Sequence, residues 1–289
     1  MGVGYAGRLG RPRHLMEGAA LGRARGAATF VAPVAIVLAL WEAVARAGGF
    51  DPLLLPRVSE IVGTALTLFG VNLGGRPAYD VGLFNLVAHT GHSLLRFLYG
   101  FGLSVLLGVW LGLLMGRSRL VYTLSYPLIS IIMPIPALAW VPIFMVWFGT
   151  GEASTISVVF IGGFFAVVYN THKGVTSIGV PYIWATETMG ASRRDLFLKV
   201  LIPGSLPYIM TGLKIGMGQA WRAMVGAEML AATQWGLGFM IFEAREFLLT
   251  DVSFAGIGMI ALIMFVLEHG LFATLEQKTI VRWGMVREA

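Results

Sequence analysis

Residues 97–116 read FLYGFGLSVLLGVWLGLLMG, which is twenty consecutive residues without a charged side chain. An α-helix needs about 20 predominantly apolar residues to cross the hydrocarbon core of a bilayer. Two further uncharged runs are at least as long, at residues 120–151 and 153–172. These runs predict an all-α protein that crosses a membrane several times.

The composition of the chain supports this prediction. Of its 289 residues, 57% are hydrophobic and only 12% are charged, whereas an average soluble domain is about 25% charged. So little charge excludes a disordered chain and an ordinary cytosolic enzyme. The chain has no cysteine, which excludes a disulfide scaffold, thiol catalysis and a cysteine-ligated zinc site.

Charged residues that bound the apolar runs predict about six transmembrane helices. A basic tail over 1–27 precedes a transmembrane domain over 28–289. A cleaved secretory signal ending at Ala43-Val44-Ala45 is the alternative for the first helix, but Trp41-Glu42 fits poorly just before such a site. The predicted helices lie near 28–46, 93–116, 121–148, 153–173, 207–231 and 253–275.

Lysine and arginine predict the orientation. If the N-terminus is cytoplasmic, fourteen of these residues fall on inner segments and five on outer segments. Positive charge favours the cytoplasmic side, so we expect both termini there. The net charge of +6 is then explained by topology, and we do not expect nucleic-acid binding.

The segment over 47–92 is the longest predicted outer segment. Apolar residues recur at helical spacing over 57–69, which predicts an amphipathic helix at the membrane surface. Gly74-Gly75 and Pro77 predict a loop. Glu42 and Arg46 are four residues apart at the outer end of the first helix, where they can form an ion pair.

Small residues recur every four positions on two predicted helices, and such stripes let another helix approach closely. Either packing within the chain or a contact with a second copy would use them, and packing within the chain is the simpler interpretation. The stripes are Gly100, Ser104, Gly108, Gly112 and Gly116, and Gly212, Gly216 and Ala220.

The third predicted helix contains four prolines, at positions 127, 134, 136 and 142. Each removes a backbone donor and tends to kink a helix. Broken helices at membrane depth occur where they face protein or a wet cavity. The break at Met133-Pro134-Ile135-Pro136, with Trp140, is therefore either part of a translocation pathway or an internal packing kink.

Residues 174–206 form the longest predicted cytoplasmic segment, with its main body over 182–206. Gly190 separates two short predicted helices, and Ser192 or Asp195 is placed to cap the second. The second helix has one apolar face, and an exposed face of this kind typically marks a protein interface. That face consists of Leu196, Phe197, Val200 and Leu201.

The segment over 189–207, MGASRRDLFLKVLIPGSLP, resembles the ATPase-docking "EAA" loop of bacterial ABC importer permeases, in which nine residues separate a glycine from an isoleucine near a Leu-Pro pair. Trp184 stands where that motif has its glutamate. Further blocks resemble the nitrate, sulfonate, taurine and bicarbonate branch, and together the resemblance covers about residues 30–275. The blocks are PALAWVP at 136–142, WFGTGE at 147–152, NTH at 170–172 and AEML at 227–230.

The resemblance implies a MetI-like, type I permease fold and an importer of a small anionic solute in the bacterial inner membrane. It implies a second permease copy, two ATP-binding subunits that hold ATP and Mg²⁺, and an extracytoplasmic solute-binding protein. This chain would carry no cofactor and no enzymatic activity. ATPase coupling would involve Thr186, Glu187, Gly190, Ala191, Ser192, Arg193, Asp195, Phe197 and Pro203.

Arg222 is a charge inside the fifth predicted helix, where membrane proteins pair charges or expose them to a wet cavity. It either favours an anionic solute or pairs with an acid such as Glu228 or a backbone carbonyl. His89 and His92 lack a third metal ligand, so we expect no metal site. The expected pathway residues are Met133, Pro134, Pro136, Trp140, Asn170, Trp221, Arg222 and Glu228.

Two other functions are compatible with a polytopic chain. A stand-alone secondary transporter or channel would carry acidic or histidine relays within its helices, and few are present. An intramembrane enzyme would need a set of polar catalytic residues at one depth, which is missing. The chain also lacks a phosphate-binding loop of the type Gly-x4-Gly-Lys-Ser/Thr, so ATP hydrolysis would belong to a partner.

Overall fold

The computed structural model describes residues 31–49, 51, 53–71, 82–277 and 279, and within these ranges it contains helices and turns but no β-strand. The predicted tail over 1–27 and loop at 74–77, and the basic residues at 278, 282 and 287, lie outside the described residues. The chain divides into two compact units, residues 1–62 and 63–289.

In the first unit, residues 31–46 form helix α1, which covers the described part of the first predicted span. Trp41 ties this helix to the chain that follows it, because its Nε1 donates to the carbonyl of Pro56 at 3.0 Å. The predicted pair of Glu42 and Arg46 is confirmed at 2.6 Å. Glu42 also accepts a hydrogen bond from Ser59 Oγ at 2.8 Å.

A short helix, α2, spans Val58–Leu68 and confirms the helix predicted at 57–69. Eight further helices follow: α3 Leu86–Arg117, α4 Arg119–Ile132, α5 Ala137–Phe148, α6 Glu152–Thr176, α7 Val180–Thr188, α8 Arg193–Ala231, α9 Leu237–Glu246 and α10 Thr250–Glu276. In the described part of the chain, α3, α6, α8 and α10 are each long and apolar enough to cross a membrane.

The third predicted helix is not one straight span. It consists of α4 and α5, whose axes differ by 93° at the break between Ile132 and Ala137. Pro134 and Pro136 supply no backbone N–H, so the α-helical hydrogen-bond ladder cannot continue through them. The prolines therefore change the direction of the chain rather than merely kinking a helix.

Helix α6 is the centre of the second unit and packs on both α3 and α8. Half of the residues in the most apolar 18-residue stretch of α6 are buried inside the chain. The same fraction is 33% for α3, 22% for α10 and 17% for α8. Glycines allow this packing: a Cβ on Gly112 of α3 would lie 2.6 Å from the Cβ of Thr171. On α8, a Cβ on Gly212 would lie 2.7 Å from the Cβ of Asn170.

Both small-residue stripes therefore pack against α6, which confirms the interpretation that they serve packing within the chain. Short glycine faces let the helix backbones approach closely, and this is the main source of helix association where lipid is as apolar as the side chains. Ser104 of the first stripe adds a hydrogen bond of 2.7 Å to the carbonyl of Phe160 on α6.

Two predicted helix starts are wrong, and the connection between α8 and α10 contains a helix that the sequence did not predict. Helix α3 begins at Leu86 rather than 93, because the charge used to bound it, Arg96, lies inside the helix and is ion-paired there. Helix α8 begins at Arg193 rather than 207, through a π-helical turn at Leu196–Leu201. Helix α9 was not predicted at all.

Candidate functional site

The helix break opens a cavity of about 310 Å³ between three elements. One wall is the break itself, and the others come from α6 and α8. Two of the lining side chains are polar, Gln219 and Arg222, both on α8 and three residues apart. The lining residues are Met133, Pro134, Ile135, Pro136, Ala137, Leu138, Ile161, Gly162, Phe165, Gln219, Arg222 and Ala223.

Two glycines determine how closely the walls of the cavity approach. The side chain of Leu138 seats on Gly226 of α8, where an added Cβ would lie 2.5 Å from Leu138 Cδ2. Gly162 of α6 similarly faces Ala223, at 2.9 Å from an added Cβ to the Ala223 Cβ. The contact between Leu138 and Gly226 holds the helix break against α8 one turn beyond Arg222. The segment with Pro134 and Pro136 and the side chain of Arg222 therefore line the same cavity.

Arg222 lies nine residues before the end of α8, about 13 Å along the helix axis. An arginine near the middle of a membrane helix is unfavourable by about 2.5–3.5 kcal/mol on insertion scales. Its side chain is exposed in the single chain, and it forms none of the ion pairs of the described residues. Arg222 therefore lines the cavity without a carboxylate partner among the described residues.

Of the alternatives left open for Arg222, a pair with Glu228 is contradicted, because Glu228 is paired with Arg96 of α3. Arg96 Nη1 lies 2.9 Å from Glu228 Oε1, with 3% and 0% of the two side chains exposed. The other edge of the same guanidinium, Nε and Nη2, donates to both oxygens of Glu152 at 2.8 and 2.6 Å. Arg96 thus joins α3, α6 and α8 through one side chain.

Ser93 completes the environment of the buried carboxylate. Its hydroxyl donates to Glu228 at 2.9 Å and accepts from the backbone N–H of Leu237 at 2.8 Å. The N–H of Gly238 donates to the second oxygen of Glu228 at 2.9 Å. Both Leu237 and Gly238 begin α9, so the network also fixes the turn between α8 and α9.

His89, one turn before Ser93 on α3, holds the same turn. Its Nδ1 accepts from the N–H of Gly236 at 3.0 Å, and its Nε2 donates to the carbonyl of Leu83 at 2.8 Å. Both ring nitrogens are thus used by the backbone. Among the described residues, no group of three or more His, Cys, Asp or Glu is placed to hold a metal ion.

The start of α9 needs glycine at two positions, one in the turn before the helix and one in its first turn. Gly236 has a φ of 140°, and an added Cβ there would lie 2.6 Å from Arg96 Nη1. An added Cβ on Gly238 would lie 2.2 Å from the carbonyl oxygen of Val225. A larger residue at either position would push the turn away from the network.

The structure brings together only half of the expected pathway residues. Met133, Pro134, Pro136 and Arg222 line the cavity, whereas Trp221 and Glu228 are buried within the bundle. Asn170 Nδ2 donates to the carbonyl of Ala166 on its own helix, and Trp140 packs on Phe144. Gln219 was missed, although a polar residue three positions before Arg222 in an apolar run was a usable signal.

The segment between α6 and α8 presents an exposed apolar surface. Most of its large side chains come from α7: Tyr182 is 68% exposed, Trp184 65%, and the following Met189 86%. Gly190 turns the chain with a φ of 76°. Ser192 then caps α8, accepting from the N–H of Asp195 at 3.1 Å, which confirms one of the two predicted caps.

The apolar face predicted on the second helix of this segment does not form that surface. Phe197 and Leu201 turn toward the bundle, where they pack on Leu113 and Val175. Arg117 Cζ lies 5.1 Å from the centre of the Phe197 ring. This face therefore anchors the segment to α3 and α6, and α7 supplies most of the exposed contact surface.

Comparisons with known proteins agree with this arrangement. The sequence profile of the family described as "Binding-protein-dependent transport system inner membrane component" matches residues 104–280. The taurine transport system permease protein TauC of Escherichia coli K12 is 38% identical over 253 residues, which cover 88% of each chain. The nitrate import permease protein NrtB of Leptolyngbya laminosa is 39% identical over 57% of this chain and 58% of its own.

A solved structure shares the fold. The methionine ABC transporter MetNI, in an inward-facing conformation, superposes with a TM-score of 0.61 at 16% identity, covering 70% of this chain and 99% of that chain. The helical bundle, with its break between α4 and α5, thus has the MetI-like fold of ABC transporter permeases. The chain belongs to the family of binding-protein-dependent transport system inner membrane components, and it is a permease subunit rather than an enzyme.

Proposed function

We propose that the chain is the membrane subunit of an ATP-driven importer for a small anionic solute. Two copies would form the pathway, with two ATP-binding subunits on the cytoplasmic side and a solute-binding protein on the other. The relatives include permeases for taurine, which carries a sulfonate group, and for nitrate, and they support a solute with an anionic oxygen-rich group. ATP and Mg²⁺ would bind the separate ATPase, since the chain has no phosphate-binding loop.

One observation carries the coupling part of the proposal. The segment over 182–206 combines an exposed aromatic surface on α7 with an anchored helix that continues into α8. A push on Tyr182 or Trp184 would reach α8 across the short turn at Gly190, and α8 then runs from this segment to the cavity as one helix. Because α8 also lines the cavity, movement at the segment would change the cavity.

Sidedness is part of the same proposal. The bias of lysine and arginine supports a bacterial inner-membrane location with both termini and the 174–206 segment in the cytoplasm. The turns before α6 and α9 would then lie on the outer side. Rocking of the helix bundles around the cavity would give alternating access.

The coupling role is tested at Gly190, whose φ of 76° suits glycine or asparagine but not proline. The chain is coexpressed with its ATPase and binding protein, and copurification, ATPase activity and uptake are measured. We expect Gly190→Pro to abolish uptake and weaken copurification, whereas the matched Gly190→Asn keeps both. A chain that transports without any ATPase would instead be a stand-alone secondary transporter or channel.

A further inference from the structure

We propose that Arg222 and Gln219 together bind the anionic solute as it passes the helix break. This inference rests on the proposed function and assigns the residues that recognise the solute. The solute class is an oxyanion, such as a sulfonate or nitrate, which offers several acceptor oxygens around one negative charge. Four observations carry the proposal.

The first observation is that the nearby acids are already engaged. Glu228 and Glu152 both pair with Arg96, and Glu268 pairs with Lys214 at 3.4 Å. No carboxylate is among the residues that line the cavity. Arg222 therefore brings a positive charge to the cavity that no described side chain neutralises, and such a charge favours an anion.

The second observation is the shared face of the two polar side chains. Gln219 and Arg222 are three residues apart on one helix, so they are neighbours on its surface. The Arg222 side chain points back along α8, since its Nη1 would lie 3.8 Å from a Cβ added to Gly218. The guanidinium offers a planar pair of donors that matches an oxyanion, and the glutamine amide adds a further donor.

The third observation is the apolar remainder of the cavity. Apart from Gln219 and Arg222, the lining side chains are aliphatic, aromatic, proline or glycine. Hydrogen bonds to a charged group are stronger in such low-dielectric surroundings than in water. A neutral solute of the same size would gain less from Arg222, and a cation would be repelled by it.

The fourth observation is the break itself. Pro134 and Pro136 line the same cavity as Arg222, where the chain turns by 93°. Irregular backbone at membrane depth is tolerated where it lines a cavity. The volume of about 310 Å³ is at the lower end of small-molecule sites, which run from about 300 to 1,000 Å³, and suits a small solute.

The test uses the complete importer in proteoliposomes, with taurine and nitrate as separate probes. Uptake and ATP hydrolysis are measured in the same preparation for Arg222→Gln, Arg222→Lys and Gln219→Leu. The matched control is Lys214→Gln, which also removes a positive charge from α8 but from a lysine that pairs with Glu268 outside this cavity.

We expect Arg222→Gln to lower the maximal uptake of the transported probe on the order of 10-fold or more, the usual effect of losing a charge-assisted hydrogen bond. ATP hydrolysis should persist, so more ATP is used per solute imported. Gln219→Leu should lower uptake about 2- to 10-fold. Arg222→Lys should retain only part of the uptake, because it keeps the positive charge but loses the planar pair of donors, and Lys214→Gln should match the wild type.

A merely structural role for Arg222 would reduce uptake and ATP hydrolysis together. The inference is overturned if Arg222→Gln imports as many solute molecules per ATP as the wild type, or if Lys214→Gln loses as much. If Arg222→Gln does not assemble, Gln219→Leu and Arg222→Lys give the result: wild-type uptake in Gln219→Leu overturns the inference. A wild-type importer that moves neither taurine nor nitrate but does move solutes without an anionic group, or one that moves anions without ATP, contradicts the proposed function itself.

Discussion

At Arg96, one guanidinium is shared by two carboxylates that differ in exposure. Glu228 is completely buried, whereas 58% of the Glu152 side chain is exposed. A buried ion pair contributes little net stability over an apolar pair, but removing one partner leaves an uncompensated charge. The two halves of this network should therefore respond very differently to substitution.

We predict that Arg96→Met destabilises the detergent-purified protein by about 3–5 kcal/mol, because Glu228 would be left buried without a cation. Glu152→Gln should change stability by about 0–1 kcal/mol, since that half of the network is exposed. Thermal unfolding of both variants measures the difference. Equal losses in the two variants would contradict the assignment of Glu228 as the buried partner.

Arg96 also shows what charge alone cannot predict. Reading each charged residue as the end of a span placed Arg96 at a boundary, yet it lies inside α3 with its partners 56 and 132 residues away. Long-range pairing of this kind leaves no local signal in the sequence. The same long-range pairing engages Glu228, which the sequence alone left open as a partner of Arg222.

At the scale of helices, the spacing of small residues was the most informative sequence signal. It predicted that α3 and α8 each pack closely against another helix, because a glycine leaves a groove on the helix surface whatever residue faces it. It did not predict that α6 is the shared partner, since the facing side chains of α6 are a mixture of valine, threonine and asparagine. Helix α9 was missed because its ten residues include Glu243, Arg245 and Glu246.

The glycine packing makes a prediction within one helix. Gly112→Ala would bring a Cβ to 2.8 Å from the carbonyl oxygen of Val168, whereas Gly102 has nothing within 4 Å. We expect Gly112→Ala to destabilise the protein by about 1–3 kcal/mol through overpacking. Gly102→Ala should be neutral or stabilising by up to about 1 kcal/mol.

Thermal unfolding of the two alanine variants in the same detergent provides the comparison. Both changes add one methyl group to α3, so a difference between them reports the contact with α6 and not the helix propensity of alanine. Similar melting temperatures for the two variants would mean that α3 and α6 are less closely packed than the structure shows.

The site was predicted in part for comparable reasons. Proline chemistry is local, so the break at Met133–Pro136 was evident, and Arg222 was conspicuous as a charge in an apolar run. The prediction that the apolar face with Phe197 is exposed was wrong. An apolar helical face indicates that its residues are covered, but it does not indicate which element covers them. Here the bundle covers Phe197, and α7 supplies most of the exposed surface.

For the whole molecule, the testable quantity is its orientation in the membrane. The chain has no cysteine, so a single introduced thiol is labelled without background. Thr150, between α5 and α6, and Met189, after α7, are both exposed. We predict that a membrane-impermeant maleimide labels Thr150→Cys in intact cells and labels Met189→Cys only after permeabilisation.

The unsubstituted chain is the control for this labelling, since it should not react. The reverse pattern would place the N-terminus outside and would contradict the orientation inferred from lysine and arginine. Labelling of both positions in intact cells would mean that α6 does not cross the membrane. Either result would also remove the support for an ATPase on the side of Met189.

The Arg96 network has a consequence for how the protein is made. The ribosome produces Arg96 56 residues before Glu152 and 132 residues before Glu228. At about 5–20 residues per second, the helix carrying Arg96 is complete for several seconds before its buried counter-ion exists. Glu152 is made first, so this exposed carboxylate is the first counter-ion available to Arg96 in the growing chain. Chains truncated before Glu228 lack the buried counter-ion and should be preferred substrates for membrane proteases.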